Sequence, residues 1–147
     1  MPFATTETLG AGAKLQYEDP ATPGAFVDLP NALEIGPVGS QGEPVQVTPI
    51  LETTHRYING METPADLQYT FNHIPGLAEY AAFLDLARAQ PRQVINMRVE
   101  YTSGDRVQFA NALLGTQMAS PEASAQNKMV VQAKQSGAEV WTEIPAS

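Results

Sequence analysis

"INMRVEYTSGDRVQFANALL", residues 95–114, alternates apolar and polar side chains on both sides of a Ser-Gly-Asp turn. Successive strand side chains point to opposite faces, so this pattern predicts a β-hairpin whose register decides which residues share a face. A three-residue loop of Ser103, Gly104 and Asp105 sets Tyr101 opposite Val107, Val99 opposite Phe109 and Ile95 opposite Leu113. A two-residue loop would set Tyr101 opposite Arg106 and mix the faces. The odd loop is therefore preferred, with Gly104 or Asp105 supplying the left-handed backbone it needs. The other face then carries Arg98, Glu100, Thr102, Arg106 and Gln108, while the base, Val94 with Leu114, is apolar on both sides. The apolar face needs a covering layer, and the polar face needs a purpose.

A covering layer precedes the hairpin. In "PGLAEYAAFLDLARAQP", 75–91, Leu77, Tyr80, Ala81, Leu84 and Ala87 fall at helical spacing. Pro75 suits a first turn, Arg88 a last turn, and Pro91 stops it, so one helix is expected over about 75–89. "DLQYTFNHI", 66–74, is the cleanest strand, with Leu67, Tyr69 and Phe71 on one face and Asp66, Gln68, Thr70 and Asn72 on the other. "AKLQYED", 13–19, Val27 to Leu29 and Leu33 to Ile35 are shorter strand candidates. "PVQVTPILE", 44–52, alternates weakly and Pro49 confines it to an edge. "TTHRYINGMETPA", 53–65, has no period and is expected to be a long interaction loop, with Thr54, His55, Arg56, Tyr57, Ile58, Asn59 and Met61 as its contact candidates. "KMVVQAKQ" and "AEVWTEI" close the chain as two strands around a Ser136-Gly137 turn. The order describes an α+β domain: a mostly antiparallel β-sandwich or barrel with one covering helix.

With 147 residues the chain is expected to form a single domain, burying roughly two-thirds of its unfolded surface. It has no cysteine, so disulfides and thiolate metal sites are excluded. No apolar run reaches the roughly 20 residues of a membrane helix, and the start lacks the pattern of a secretory leader, so a soluble, unexported protein is expected. The net charge is -8, and residues 1–66 hold nine acidic but two basic side chains, which argues against phosphate-neutralising nucleic-acid binding.

Convergent chemistry is sparse. His55 and His73 lack metal-ligand spacing, and no nucleophile elbow occurs. "GAGAKL", 10–15, completes no phosphate-loop pattern and leads into a strand instead of a helix. Glu18-Asp19 lacks a calcium-loop context. Tyr101 and Trp141 read as core aromatics or partner anchors. No cofactor, no metal and no enzymatic activity are expected.

Taken in succession, "GAGAKLQYED" (10–19), the acidic stretch through Glu52 with its long loop, "ADLQYTFNHIPGLAEYAAFLDLA" (65–87), "VINMRVEYTSGDRVQFANALLGTQMA" (94–119) and "NKMVVQAKQSGAEVW" (127–141) resemble the major tail tube protein of phages with long non-contractile tails. The resemblance implies a virion tail protein, made in the host cytoplasm, forming hexameric rings stacked into a tube. It implies a flexible N-terminal arm, about 1–12, and ring contacts through the 53–65 loop. The implied partners are further copies of the chain, a tape measure protein and the tail tip and terminator proteins, while DNA passes without specific binding. Arg98, Glu100, Arg106 and Gln108 would then face a neighbour or the lumen, and Asp66, Gln68 and Thr70 the lumen. A net negative wall would keep DNA sliding, since it makes no counterion-releasing contacts. The competing expectations are a secretion-system tube or tail-completion protein, and a small β-barrel module that binds a ligand or protein in an enclosed apolar pocket.

Overall fold

The computed structural model describes residues 3–64, 66–91 and 93–145. Among these described residues, nine strands and one helix follow one another: β1 Lys14–Glu18, β2 Phe26–Asp28, β3 Ala32–Glu34, β4 Ser40–Gln46, β5 Tyr57–Pro64, β6 Asp66–Asn72, α1 Ala78–Arg88, β7 Val94–Glu100, β8 Asp105–Met118 and β9 Lys128–Glu143. Seven of them form one antiparallel sheet in the order β2-β1-β7-β8-β9-β6-β3, and β4 pairs with β5 in a separate ribbon.

The sheet must curl. β2 and β3 lie on its opposite edges yet are joined only by Leu29, Pro30 and Asn31. Laid flat, seven strands would separate their edges by about 28 Å, whereas this link reaches roughly 14 Å. Backbone bonds pin it at both sides, Leu29 N–H donating to the Leu15 carbonyl at 2.9 Å and Asn72 N–H to the Asn31 carbonyl at 3.0 Å. The enclosed face carries Leu15, Tyr17, Leu67, Tyr69, Phe71, Met97, Val99, Val107 and Val131, all buried. Helix α1 covers this face through Tyr80, Phe83, Leu84 and Ala87. The Phe71 ring centre lies 5.6 Å from that of Tyr80 and 5.8 Å from that of Phe83, and Phe83 lies 5.3 Å from Tyr17. Each such side chain contributes about 1.5–3 kcal/mol on burial. The interior is filled by its own aromatics.

The α+β expectation and the covering helix match this architecture, with shorter bounds: Pro75 and Gly76 form a turn, and Leu77 is the N-cap of a helix starting at Ala78. The hairpin keeps its predicted faces but in another register, with Val99 opposite Val107, Met97 opposite Phe109 and Glu100 opposite Arg106. The cause is Gly104, whose φ is +93°. It takes the last position of a loop of Thr102, Ser103 and Gly104, with Tyr101 N–H donating to the Asp105 carbonyl and Gly104 N–H to the Tyr101 carbonyl. A type I turn ending in a left-handed residue wants glycine there. The shift moves each cross-strand partner by two residues, so no side chain changes face.

Two other expectations are corrected. Most of the expected 53–65 loop is strand: Tyr57–Pro64 pairs with Ser40–Gln46, and only residues 53–56 stay in the connecting turn. Residues 57–59 and 61–63 are exposed, so no one-sided burial imposes an alternating pattern. The two closing strands are a single 16-residue strand, β9, paired along β8. Gly137, at φ +85°, serves a bulge, not a turn: Gln108 pairs with Val140 but Ala110 with Ser136. Met1 and Pro2 of the expected arm and Ala65 at the end of the expected loop lie outside the described residues.

Candidate functional site

The outer face of the main sheet gathers the polar candidates. Arg98, Glu100, Arg106, Gln108, Asp66, Gln68 and Thr70 share it, because their inward neighbours along β6, β7 and β8 are buried. Cross-strand pairing sets Asp28, Gln16, Arg98 and Gln108 side by side across β2, β1, β7 and β8. Arg98 Nε donates to Gln16 Oε1 at 2.6 Å, and the Gln16 amide donates to Asp28. Glu100 approaches Arg98 at 3.9 Å, and Asp66 pairs with Lys134 at 3.1 Å across β6 and β9. Burial, then nearby Arg106, lowers the Arg98 pKa, against the opposing pull of Glu100 and Asp28.

The face is charge-balanced. Glu18, Asp28, Glu34, Asp66 and Glu100 stand with Lys14, Arg98, Arg106, Lys128 and Lys134 on its strands, five of each sign. The acidic excess of the sequence therefore lies elsewhere on the molecule, not on this wall. Sequence position alone gave no sign of this, because the pairing of distant strands decides which charges meet.

The second surface is the β4–β5 ribbon, a projecting arm. Its turn exposes Ile50 completely and Leu51 at 97%, with Met61 at 90%. Thr54, His55, Arg56, Tyr57, Ile58, Asn59 and Met61 all lie exposed along its outer part. Glu52 pairs with Arg56 at 2.6 Å, the Gln46 amide lies 2.8 Å from His55 Nδ1, and Thr48 Oγ1 accepts from Arg56 N–H at 2.9 Å. These contacts stiffen the turn and leave the apolar side chains in water. Sequence reasoning missed Ile50 and Leu51, assigned to a weak strand; the signal was Pro49 directly before them.

The N-terminal segment reaches the β7–β8 turn, where Ala4 N–H donates to the Ser103 carbonyl at 2.7 Å and the Thr102 hydroxyl to the Leu9 carbonyl. Tyr101 and Trp141 stack nearby with ring centres 6.0 Å apart, and Trp141 stays 49% exposed. His73 Nδ1 lies 2.9 Å from the Tyr80 hydroxyl at the entry to α1. Among the described residues, no group of three or more His, Asp or Glu side chains is placed to hold a metal ion, and no helix is long and apolar enough to cross a membrane.

A curled sheet with one helix, a wide charge-balanced outer face and an apolar arm held in solvent defines a building block of a larger structure. The chain belongs to the phage tail tube protein family, whose model matches residues 9–143. Its role is structural, in the tail tube, and its place is the virion tail. Solved structures share the fold. A chain of the six-fold-symmetrised anti-feeding prophage baseplate superposes with a TM-score of 0.77 at 11% identity, over 95% of this chain and 97% of that one. The SPP1 tail tube gives 0.70 at 14% identity, over 94% and 80%. A chain of the native gene transfer agent virion gives 0.67 at 13%, over 92% and 99%. No curated protein sequence matches the chain.

Proposed function

We propose that this chain, as a single tube domain with an N-terminal arm, polymerises as hexameric rings stacked into the tail tube of a long non-contractile-tailed phage. The observation that carries the reading is the β4–β5 arm, whose Ile50, Leu51 and Met61 are almost wholly in water. Apolar side chains grouped in water on a stiff ribbon are the mark of a surface that a partner covers. Thr54, His55, Arg56, Tyr57, Ile58, Asn59 and Met61 form the ring contact. Arg98, Glu100, Arg106 and Gln108 face a neighbouring subunit or the lumen, and Asp66, Gln68 and Thr70 line the lumen. The subunit is made in the host cytoplasm and joins a tape measure protein and tail tip and terminator proteins.

DNA passes without specific binding. Equal numbers of acidic and basic groups on the outer face support this, since paired charges leave few cations free to release counterions from phosphate. Electron microscopy of the purified, concentrated protein tests the proposal. Tubes with six-fold rings are expected, and replacing residues 41–63 by a short Gly-Ser linker should leave a folded monomer that forms none. Normal tubes from the armless chain would overturn the assignment of the arm, and a wild-type chain that stays monomeric at every concentration would overturn the tube reading.

A further inference from the structure

The sequence "QSGAE", 135–139, looks like a hairpin turn but builds something else. In a regular strand, residues four apart lie roughly 13 Å from each other on one face. The bulge at Gly137 shortens that path, so that Gln135 Nε2 donates to Glu139 Oε2 at 2.7 Å and to the Gly137 carbonyl at 3.0 Å. Both side chains then turn to the base of the arm. Ser40 Oγ donates to Glu139 Oε2 at 3.1 Å and Ser40 N–H to Glu139 Oε1 at 3.3 Å, while Gly39 N–H donates to Gln135 Oε1 at 3.3 Å. Gln135 is 2% exposed, a large polar side chain kept inside for these bonds.

The arm needs such a hold. Its entry segment passes through Gly36 and Gly39, at φ +79° and +143°, backbone that other residues resist and that swivels readily. Ile35 and Val38 pack against the core, but from Gly39 onward the segment borders an open cleft of about 630 Å³ between Val38, Gly42, Thr63 and Trp141, so beyond Val38 the joint has polar bonds more than packing to hold it. The Gln135 amide, foremost, and the Ser40 donors keep the Glu139 carboxyl below its ordinary pKa, so the bonded form is the ionised one.

We propose that Gln135 and Glu139 are positioning residues that lock the β4–β5 arm at a fixed angle to the sheet. The consequence for assembly, that this angle sets how one ring engages the next, rests on the tube reading; the lock itself does not.

The chain contains no cysteine, so Ile50→Cys and Asp85→Cys give two unambiguous spin-label sites, one on the arm and one on the exposed side of α1. Dilution with unlabelled protein keeps the measured distance within one subunit. A single narrow distance distribution is expected, at least doubling in width in Glu139→Ala and returning nearly to its first width in Glu139→Gln, which keeps an acceptor for Ser40. An unchanged width in Glu139→Ala overturns the proposal, including when that variant melts at lower temperature, because then the residue only stabilises the fold. In assembled tubes Glu139→Ala should alter the rotation between successive rings seen by cryo-electron microscopy. Unaltered rotation overturns the assembly consequence, whereas a wild-type chain that forms no tube counts against the tube reading and leaves the monomer measurement decisive for the lock.

Discussion

The guanidinium carbon of Arg98 lies 4.0 Å from the centre of the Phe26 ring, reaching from β7 across β1 to the edge strand β2. A flat, fully charged group over an aromatic face is attracted by about 0.5–2 kcal/mol, and the bond to Gln16 adds to it. On this face three-residue β2 is otherwise held by the Gln16 amide donating to Asp28. Arg98→Ala should therefore cost about 1–2 kcal/mol and lower the melting temperature by roughly 3–8 °C. Arg98→Lys should recover only part of this, since an ammonium does not lie flat on a ring while bonding Gln16. Calorimetry on the two variants measures both effects.

Gly104 offers a cleaner test of backbone geometry. At φ +93° it holds the hairpin register, and an alanine there meets the steric cost of left-handed backbone, about 1–2 kcal/mol. Gly76→Ala is the control, since an added Cβ meets nothing within 4 Å and no left-handed backbone is involved. Urea titration should move the midpoint for Gly104→Ala and leave that of Gly76→Ala within a few tenths of a kcal/mol.

Gly104 also marks how far the sequence could be read. Leu67, Tyr69 and Phe71 were legible as a strand because one side of β6 is buried and the other is wet, which writes a period of two into the residues. The faces of β7 and β8 were legible for the same reason, although their register was not, because one glycine at a different loop position moves every pair while keeping parity. The arm was illegible as a strand, since Tyr57, Ile58 and Met61 are all exposed and no burial selects among them. The Ser136-Gly137 bulge imitates a turn locally, and only the length of β8 excludes one. Most hidden was the balance of charge on the outer face, which depends on β6, β7, β8 and β9 lying together.

Tyr69 and Asn111 form the buried polar pair of the core, with the Asn111 amide donating to the Tyr69 hydroxyl at 2.8 Å. Tyr69→Phe leaves the Asn111 amide only its bond to Met97 Sδ at 3.1 Å, and Asn111→Leu strands the hydroxyl, each at about 1–3 kcal/mol. The double variant should cost less than the sum of the two by 1 kcal/mol or more, measured by a double-mutant cycle.

The same tyrosine governs stability in alkali. Burial raises its pKa far above the ordinary value, so above pH ~10 the unfolded chain releases a proton that the folded chain retains. Its contribution is complete below that pH and falls by about 1.4 kcal/mol per pH unit above it. Tyr17, Tyr80 and Tyr101 are raised by burial in the same direction and share the effect. Urea unfolding between about pH 8 and pH 11 should show a steep alkaline decline in the wild type and one shallower by roughly that slope in Tyr69→Phe.

Ile50 and Leu51 separate assembly from folding. Both are essentially fully exposed at the arm's turn, so Ile50→Ser with Leu51→Ser removes no core contact and should leave unfolding free energy within about 0.5 kcal/mol of wild type. If a neighbouring copy covers them in the tube, each lost contact weakens association by about 1.5–3 kcal/mol. Since 1.4 kcal/mol is tenfold in an equilibrium constant, the concentration of unassembled protein left after sedimentation should rise at least tenfold. Arg56, paired with Glu52 beside them, distinguishes apolar contact from charge: Arg56→Ala should change that concentration less than the double serine variant, because an exposed ion pair is worth no more than about 1 kcal/mol. Equal sensitivity to both changes would mean that the arm docks through charge, and the apolar turn would need another reason for its place in water.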